Sequence, residues 1–153
     1  MKACFFDVDG TLSAPAYMVN GQMCIGMTDE KWTNYLEEHA DDTYEYCSEV
    51  PKIKEYALKR KAEGAAMIIL TASSGEMEDG AKKKFIGRRY EGIFDEYISV
   101  YHDLDKVEVI KTFAKTNGIG LSECELIEDT YSILLKAVTE GISCTHVANI
   151  YAT

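Results

Sequence analysis

The sequence predicts an α/β protein, a Rossmann-like parallel sheet with helices on both faces. Three observations lead there. Short, nearly continuous apolar runs recur along the chain, as expected of strands covered on both sides. Helical patterns with readable ends separate these runs. The chain has 153 residues, 46% of them hydrophobic and 27% charged, a balance that supports a packed core and argues against disorder. Since a domain takes roughly 100–200 residues, residues 1–153 are expected to form one.

The first strand is read over Lys2 to Val8. Four further apolar runs follow at Ala65–Leu70, Tyr97–Val100, Cys124–Ile127 and Ser143–Val147. Pro51 suits the first turn of a helix running through Lys61, and Gly64 stops it. Glu76 to Arg88 reads as a helix with Met77, Ala81 and Phe85 as its apolar side. Val107, Ile110 and Ala114 mark the next helix, closed by Asn117-Gly118. Thr130 to Glu140 is the last, stopped by Gly141. Alternation of strand and helix implies a parallel sheet.

One segment, about residues 12–50, interrupts the alternation. Asn20-Gly21 between apolar triplets is a strong hairpin signal, because a type I′ turn needs positive φ twice. Thr28-Asp29-Glu30 then starts a helix with Trp32, Tyr35, Leu36 and His39 on one face. A small hairpin flap and a helical insert after the first strand are therefore expected, with the Trp32 stripe packing on the core.

With 16 basic and 26 acidic side chains the formal charge is −10. That argues against a general nucleic-acid binder or an anionic-membrane binder. No apolar run approaches the roughly 20 residues that span a bilayer. The five cysteines form no CxxC pair and read as small buried hydrophobes in a reducing, cytoplasmic setting.

Ligands of open parallel sheets bind at the carboxyl ends of the strands. The first strand delivers Asp7-Val8-Asp9-Gly10-Thr11 there, the second Thr71-Ala72-Ser73-Ser74, and the fourth Glu128-Asp129-Thr130. Several carboxylates packed together raise one another's pKa and cost stability. A hard divalent cation such as Mg²⁺ removes that objection. Asp7 can then act as an anionic nucleophile while Asp9 handles protons. Lys82-Lys83-Lys84 and Arg88-Arg89 read as a solvated helix face, and His102 as a loop residue.

This set resembles the haloacid dehalogenase-like phosphohydrolase superfamily over about residues 2–147. Asp7-Val8-Asp9-Gly10-Thr11 matches its DxDGT motif, Thr71 the hydroxyl after the second strand, Lys106 the lysine near a helix start, and Glu128-Asp129 the acidic fourth motif. The resemblance implies an aspartyl-phosphate mechanism with Mg²⁺ as cofactor. Asp7 would be nucleophile and metal ligand. Asp9 would protonate the leaving alcohol and then activate water, its backbone carbonyl ligating the metal. Thr71 and Ala72 would bind the phosphoryl group, Lys106 would hold Asp7 and phosphate together, and Asp129 would complete the metal site beside Glu128.

Many relatives have glycine where Glu128 stands and an acid where Ile133 stands, so this chain fits the paired-acid variant. Either Glu128 or Asp129 could be the direct ligand, Asp129 being favoured, and Lys111 is the substitute for Lys106. Asp9 points to phosphate esters rather than haloacids. The 60 positions from Thr11 to Thr71 leave room for a flap and a modest insert. A small-cap or capless phosphatase with an open site, taking a small or larger phosphate ester, is therefore expected. A phosphotransferase or phosphomutase on the same site, and a regulatory module that binds metal or phosphate without turnover, are the alternatives.

Overall fold

The computed structural model describes all 153 residues. Its central sheet has five parallel strands: β1 (Ala3–Phe6), β6 (Ala66–Ala72), β7 (Glu96–Val100), β8 (Cys124–Glu128) and β9 (Ser143–His146), in the spatial order β7-β6-β1-β8-β9. The predicted Rossmann-like α/β architecture is the one observed.

Alternating side chains of each strand feed two cores, as the two-residue period requires. Cys4, Phe6, Met67 and Ile69 pack on one face with Ile53 and Ala57 of α2 (Pro51–Ala62) and Ala81 and Phe85 of α3 (Glu76–Arg89). Phe5, Ile68, Leu70 and Leu126 pack on the other with Val107 and Ile110 of α4 (Asp105–Asn117) and Ile133 and Leu134 of α5 (Tyr131–Thr139). A fully buried Phe or Ile side chain contributes about 1.5–3 kcal/mol, so this double layer dominates stability. A short helix, α6 (Val147–Tyr151), ends the chain. No helix is long and apolar enough to cross a membrane.

Strand β1 is shorter than the apolar run Lys2–Val8 suggested. The ladder reaches Asp7, whose N–H donates to the Ile127 carbonyl at 3.1 Å. Beyond it the Thr11 and Ser13 N–H groups fold back onto the Val8 carbonyl, so Val8 stays in the core without being in the strand.

The insert lies between β1 and α2. Its ends are tied by β2 (Ser13–Ala14) pairing antiparallel with β5 (Ser48–Glu49). Between them lie the hairpin β3 (Tyr17–Val19) and β4 (Gln22–Cys24), helix α1 (Asp29–His39) and one 3₁₀ turn, Ala40–Asp42. The hairpin turn holds Asn20 at φ 51° and Gly21 at φ 78°. Thr28 caps α1, its hydroxyl accepting from the Lys31 N–H at 3.3 Å. Tyr17, Trp32, Tyr35 and Tyr44 form an edge-to-face aromatic cluster within the insert, the Tyr17 and Trp32 rings 5.2 Å apart, and the Tyr44 ring lies 5.8 Å from Phe85 of α3, which joins the insert to the body of the domain.

Helix α3 carries one correction. Met77, Ala81 and Phe85 are spaced by four, which drifts around a helix of 3.6 residues per turn. The face turned inward is Glu78, Ala81, Lys82 and Phe85, while Met77 is 49% exposed. Lys82 is therefore buried rather than part of a solvated lysine face.

Candidate active site at the carboxyl edge of the sheet

β1 sits between β6 and β8, and the chain reverses its direction of travel across the sheet there. Such a switch point opens a crevice at the carboxyl ends of the strands. Asp7 leaves β1 into this crevice, Thr71 lies near the end of β6, Lys106 in the first turn of α4, and Glu128 ends β8 with Asp129 next.

These distant residues meet. Lys106 Nζ lies 2.9 Å from Asp7 Oδ1 and 2.9 Å from Glu128 Oε2, with both Lys106 and Glu128 fully enclosed. Lys111, the alternative lysine, pairs instead with Glu108 and Glu140 on the surface. Burial pushes the Asp7 carboxyl up to about 7; Lys106 opposes the rise, and the Glu128 and Asp9 carboxylates add to it. Burial likewise raises Glu128, against the pull of Lys106. Lys106 is held charged: burial acts against the ammonium, but Asp7 and Glu128 outweigh it.

Carboxylate oxygens of Asp7, Glu128 and Asp129 lie within 4.8 Å of one another. All three are hard oxygen donors, as Mg²⁺ requires, with metal–oxygen bonds of about 2.0–2.1 Å. Gly10 makes room for this group, since a Cβ there would collide with Asp129 Oδ2. The residues present therefore fit the cation. Glu128 is the most committed of them. Its Oε2 takes Lys106, and its Oε1 accepts from the Asp129 and Thr130 N–H groups at 3.1 and 3.3 Å. It thus serves the start of α5 as well as the lysine, and Asp7 and Asp129 keep the freer oxygens. His146, at the end of β9, accepts the Ala148 N–H on Nδ1, so its Nε2 carries the proton and donates to the Asp129 carbonyl at 3.1 Å.

Asp9 faces a second group. Its Oδ1 accepts from the Tyr44 hydroxyl at 2.7 Å, and its Oδ2 lies 3.1 Å from Lys82 Nζ. Lys82 also donates to Thr71 Oγ1 at 2.9 Å and to the Ala72 carbonyl at 2.6 Å. Glu78 lies behind it at 3.5 Å. Burial acts against the Lys82 charge, but Asp9, Glu78 and Asp7 hold it. Tyr44, Glu78 and Lys82 were not singled out from sequence. The signal for two of them was present in the 78/81/82/85 spacing, which places both on the buried side of α3; nothing local marks Tyr44. His102 is exposed in the loop after β7, as read.

A cleft of about 430 Å³ opens onto Asp9, Gly10 and Asp129. The insert forms its far wall, through Tyr17, Ile25, Met27, Asp29 and Trp32.

No protein-family model matches the sequence, and no curated protein matches it. Solved structures do. A dehalogenase aligns over 96% of this chain and 84% of its own, with TM-score 0.62 and 14% identity. A HAD family enzyme from Bacteroides thetaiotaomicron, in complex with magnesium and inorganic phosphate, aligns over 95% and 93%, with TM-score 0.57 and 12% identity. A haloacid dehalogenase-like family hydrolase from Streptococcus pneumoniae aligns over 94% and 83%, with TM-score 0.57 and 18% identity. The sheet order, the crevice at its switch point and these likenesses agree that the chain has the haloacid dehalogenase-like fold.

Proposed function

We propose that the chain is a Mg²⁺-dependent phosphatase that hydrolyses a phosphate monoester through an aspartyl-phosphate on Asp7. The observation that carries this reading is the Asp7–Lys106 contact at 2.9 Å beside a carboxylate group spanning at most 4.8 Å. A buried nucleophile, a fixed ammonium and hard oxygen donors together suit phosphoryl transfer, where stabilising the oxygens of the transferred group matters most.

With Oδ1 held by Lys106, Asp7 Oδ2 attacks phosphorus. The new Oδ2–P bond forms as the ester P–O bond breaks, and Asp9 gives its proton to the departing alcohol oxygen. Asp9 then takes a proton from water, which attacks phosphorus and releases inorganic phosphate, returning Asp7 as a carboxylate. Thr71 donates its hydroxyl to a phosphoryl oxygen, and Lys106 neutralises charge on both Asp7 and the phosphoryl group. Mg²⁺, held by Asp7, Asp129 and the Asp9 carbonyl, would supply Lewis-acid stabilisation of the phosphoryl oxygens. Glu128 positions Lys106. The fold neighbours support hydrolysis in general terms, since they include a hydrolase and an enzyme bound to magnesium and phosphate. Asp9 favours esters over haloacids, because an alkoxide needs a proton to leave and a halide does not.

The test is phosphate release from a panel of monoesters with Mg²⁺, with chelator, and by Asp7→Asn. Metal-dependent release abolished in Asp7→Asn is expected. Transfer of phosphate to a sugar in preference to water would replace hydrolysis by phosphotransfer. Metal binding without turnover on any ester would leave a binding module.

A further inference from the structure

Lys82 is a second enclosed ammonium at the same edge of the sheet, and the reaction above gives it no task. Its side chain is only 1% exposed. Burying a charge costs several kcal/mol unless close partners compensate, and Lys82 has four within 3.5 Å. Two of them, Thr71 and Asp9, are groups that would meet the substrate.

The chemistry of each contact is directional. Thr71 Oγ1 accepts a hydrogen bond from Lys82, and its own hydroxyl donates to the Ala72 carbonyl at 3.4 Å, a long contact that a phosphoryl oxygen can replace. Asp9 is gripped on both oxygens, by Tyr44 on Oδ1 and Lys82 on Oδ2, which fixes the plane of the carboxyl. Behind the ammonium, Glu78 accepts from Trp32 Nε1 at 2.6 Å and from the Ser74 N–H at 3.0 Å. Trp32 belongs to α1 and lines the cleft. A continuous polar chain therefore runs from the insert helix through Glu78 and Lys82 to Asp9 and Thr71.

Resting on the phosphatase reading, we infer that Lys82, anchored to the insert by Glu78 and Trp32, is a positioning residue: it aims the Thr71 hydroxyl at the phosphoryl group and the Asp9 carboxyl at the leaving oxygen. It acts through those two groups, since its own ammonium is enclosed. Loss of Lys82 should therefore hurt most where Asp9 matters most. An alkyl phosphate needs its leaving oxygen protonated, whereas p-nitrophenyl phosphate releases a stable anion and does not.

The experiment compares wild type, Lys82→Met and the surface control Lys84→Ala on both esters with Mg²⁺. General acid catalysis is worth about 10²–10⁴-fold, so Lys82→Met should lower kcat at least about 100-fold for the alkyl ester. The loss for p-nitrophenyl phosphate should be at least about tenfold smaller, with KM changed less than about threefold on either. Lys84→Ala should match wild type. Folding is followed by the melting curve and by emission of Trp32, the sole tryptophan. If Lys82→Met fails to fold, the double variant Glu78→Gln/Lys82→Met, which removes a buried charge of each sign, should show the same split. Equal losses on the two esters, or a change confined to KM, would overturn the inference while leaving the phosphatase reading intact. No hydrolysis of any ester by wild type would remove both.

Discussion

Asp129 Oδ2 occupies the space that a side chain on Gly10 would need. Gly10 also stands at φ 78°, in the left-handed region, which costs a residue with a Cβ about 1–2 kcal/mol. Gly10→Ala should therefore fold with a lower melting temperature and with Asp129 displaced from the carboxylate group. Mg²⁺ affinity, read by titration calorimetry, should fall at least about tenfold, within the 10–100-fold typical of disturbed metal-site support. Unchanged affinity would show that Asp129 is not a ligand.

The elevated Asp7 carboxyl makes a prediction about the metal-free protein. Unfolded, an aspartate titrates near about 3.9; folded, burial moves Asp7 up to about 7. Between those values the folded state binds the extra proton. Stability must therefore fall as pH rises through that window and stay low above it. Asp7→Asn should melt higher than wild type in chelator at pH 8, by about 2–4 °C for each kcal/mol relieved. The difference should vanish near pH 4. Added Mg²⁺ should raise the melting point of wild type and leave Asp7→Asn nearly unmoved. A variant that melts lower than wild type in chelator at pH 8 would refute the burial penalty.

How much of this was legible in the sequence depends on how far apart the cooperating residues lie. The inner strands β1 and β6 were readable because both faces of the sheet are covered there, so they are apolar over most of their length, whereas the edge strands β7 and β9 are only partly buried and more polar. The hairpin was readable because Asn20-Gly21 states its turn type locally. Asp7, Thr71 and Asp129 could be nominated because each sits where a strand ends, and Lys106 only through the family resemblance, which asks for a lysine near a helix start. What escaped was the inside of α3. A lysine that opens a run of three looks solvated unless the helical period is followed residue by residue, and the acids that hold Lys82 charged are Asp7 and Asp9 from the segment after β1 together with Glu78 one turn earlier on α3. Tyr44 reaches Asp9 over a separation of 35 positions, and no spacing rule connects them.

Lys106 sits between two enclosed carboxylates and is nearly inaccessible, whereas Lys111, one turn along α4, pairs at the surface. Removing Lys106 strands two enclosed carboxylates, at a cost of about 3–5 kcal/mol, whereas removal of the Asp7 charge leaves Lys106 paired with Glu128. Surface pairs contribute about 0–1 kcal/mol. Lys106→Met should lose both stability and phosphate release, the latter by at least about 100-fold. Lys111→Ala should keep activity and melt within about 2 °C of wild type. Equal activity in the two variants would exclude Lys106 from the reaction.

The cleft beside Asp9 predicts which esters react. Its charged lining residues, Asp9, Asp29, Glu78 and Asp129, are all acidic, and its remaining wall is apolar and aromatic at Pro15, Tyr17, Ile25, Met27 and Trp32. Asp9 and Glu78 are offset by Lys82 and Asp129 is a proposed Mg²⁺ ligand, which leaves Asp29 as the acid with no cation assigned to it. A leaving group that carries a carboxylate or second phosphate would meet the Asp29 carboxylate, in a protein of net charge −10. An uncharged or ammonium-bearing alcohol would meet aromatic faces, which attract cations, and a carboxylate. Matched monoesters should therefore rank cationic and neutral above anionic in kcat/KM, by about tenfold or more at low salt. The ranking should compress as ionic strength rises, because screening shortens the reach of exposed charges. Asp29→Asn should narrow the gap while leaving kcat for neutral esters unchanged. An anionic ester as the best substrate, with a preference insensitive to salt and to Asp29→Asn, would show that recognition is built elsewhere than in this cleft.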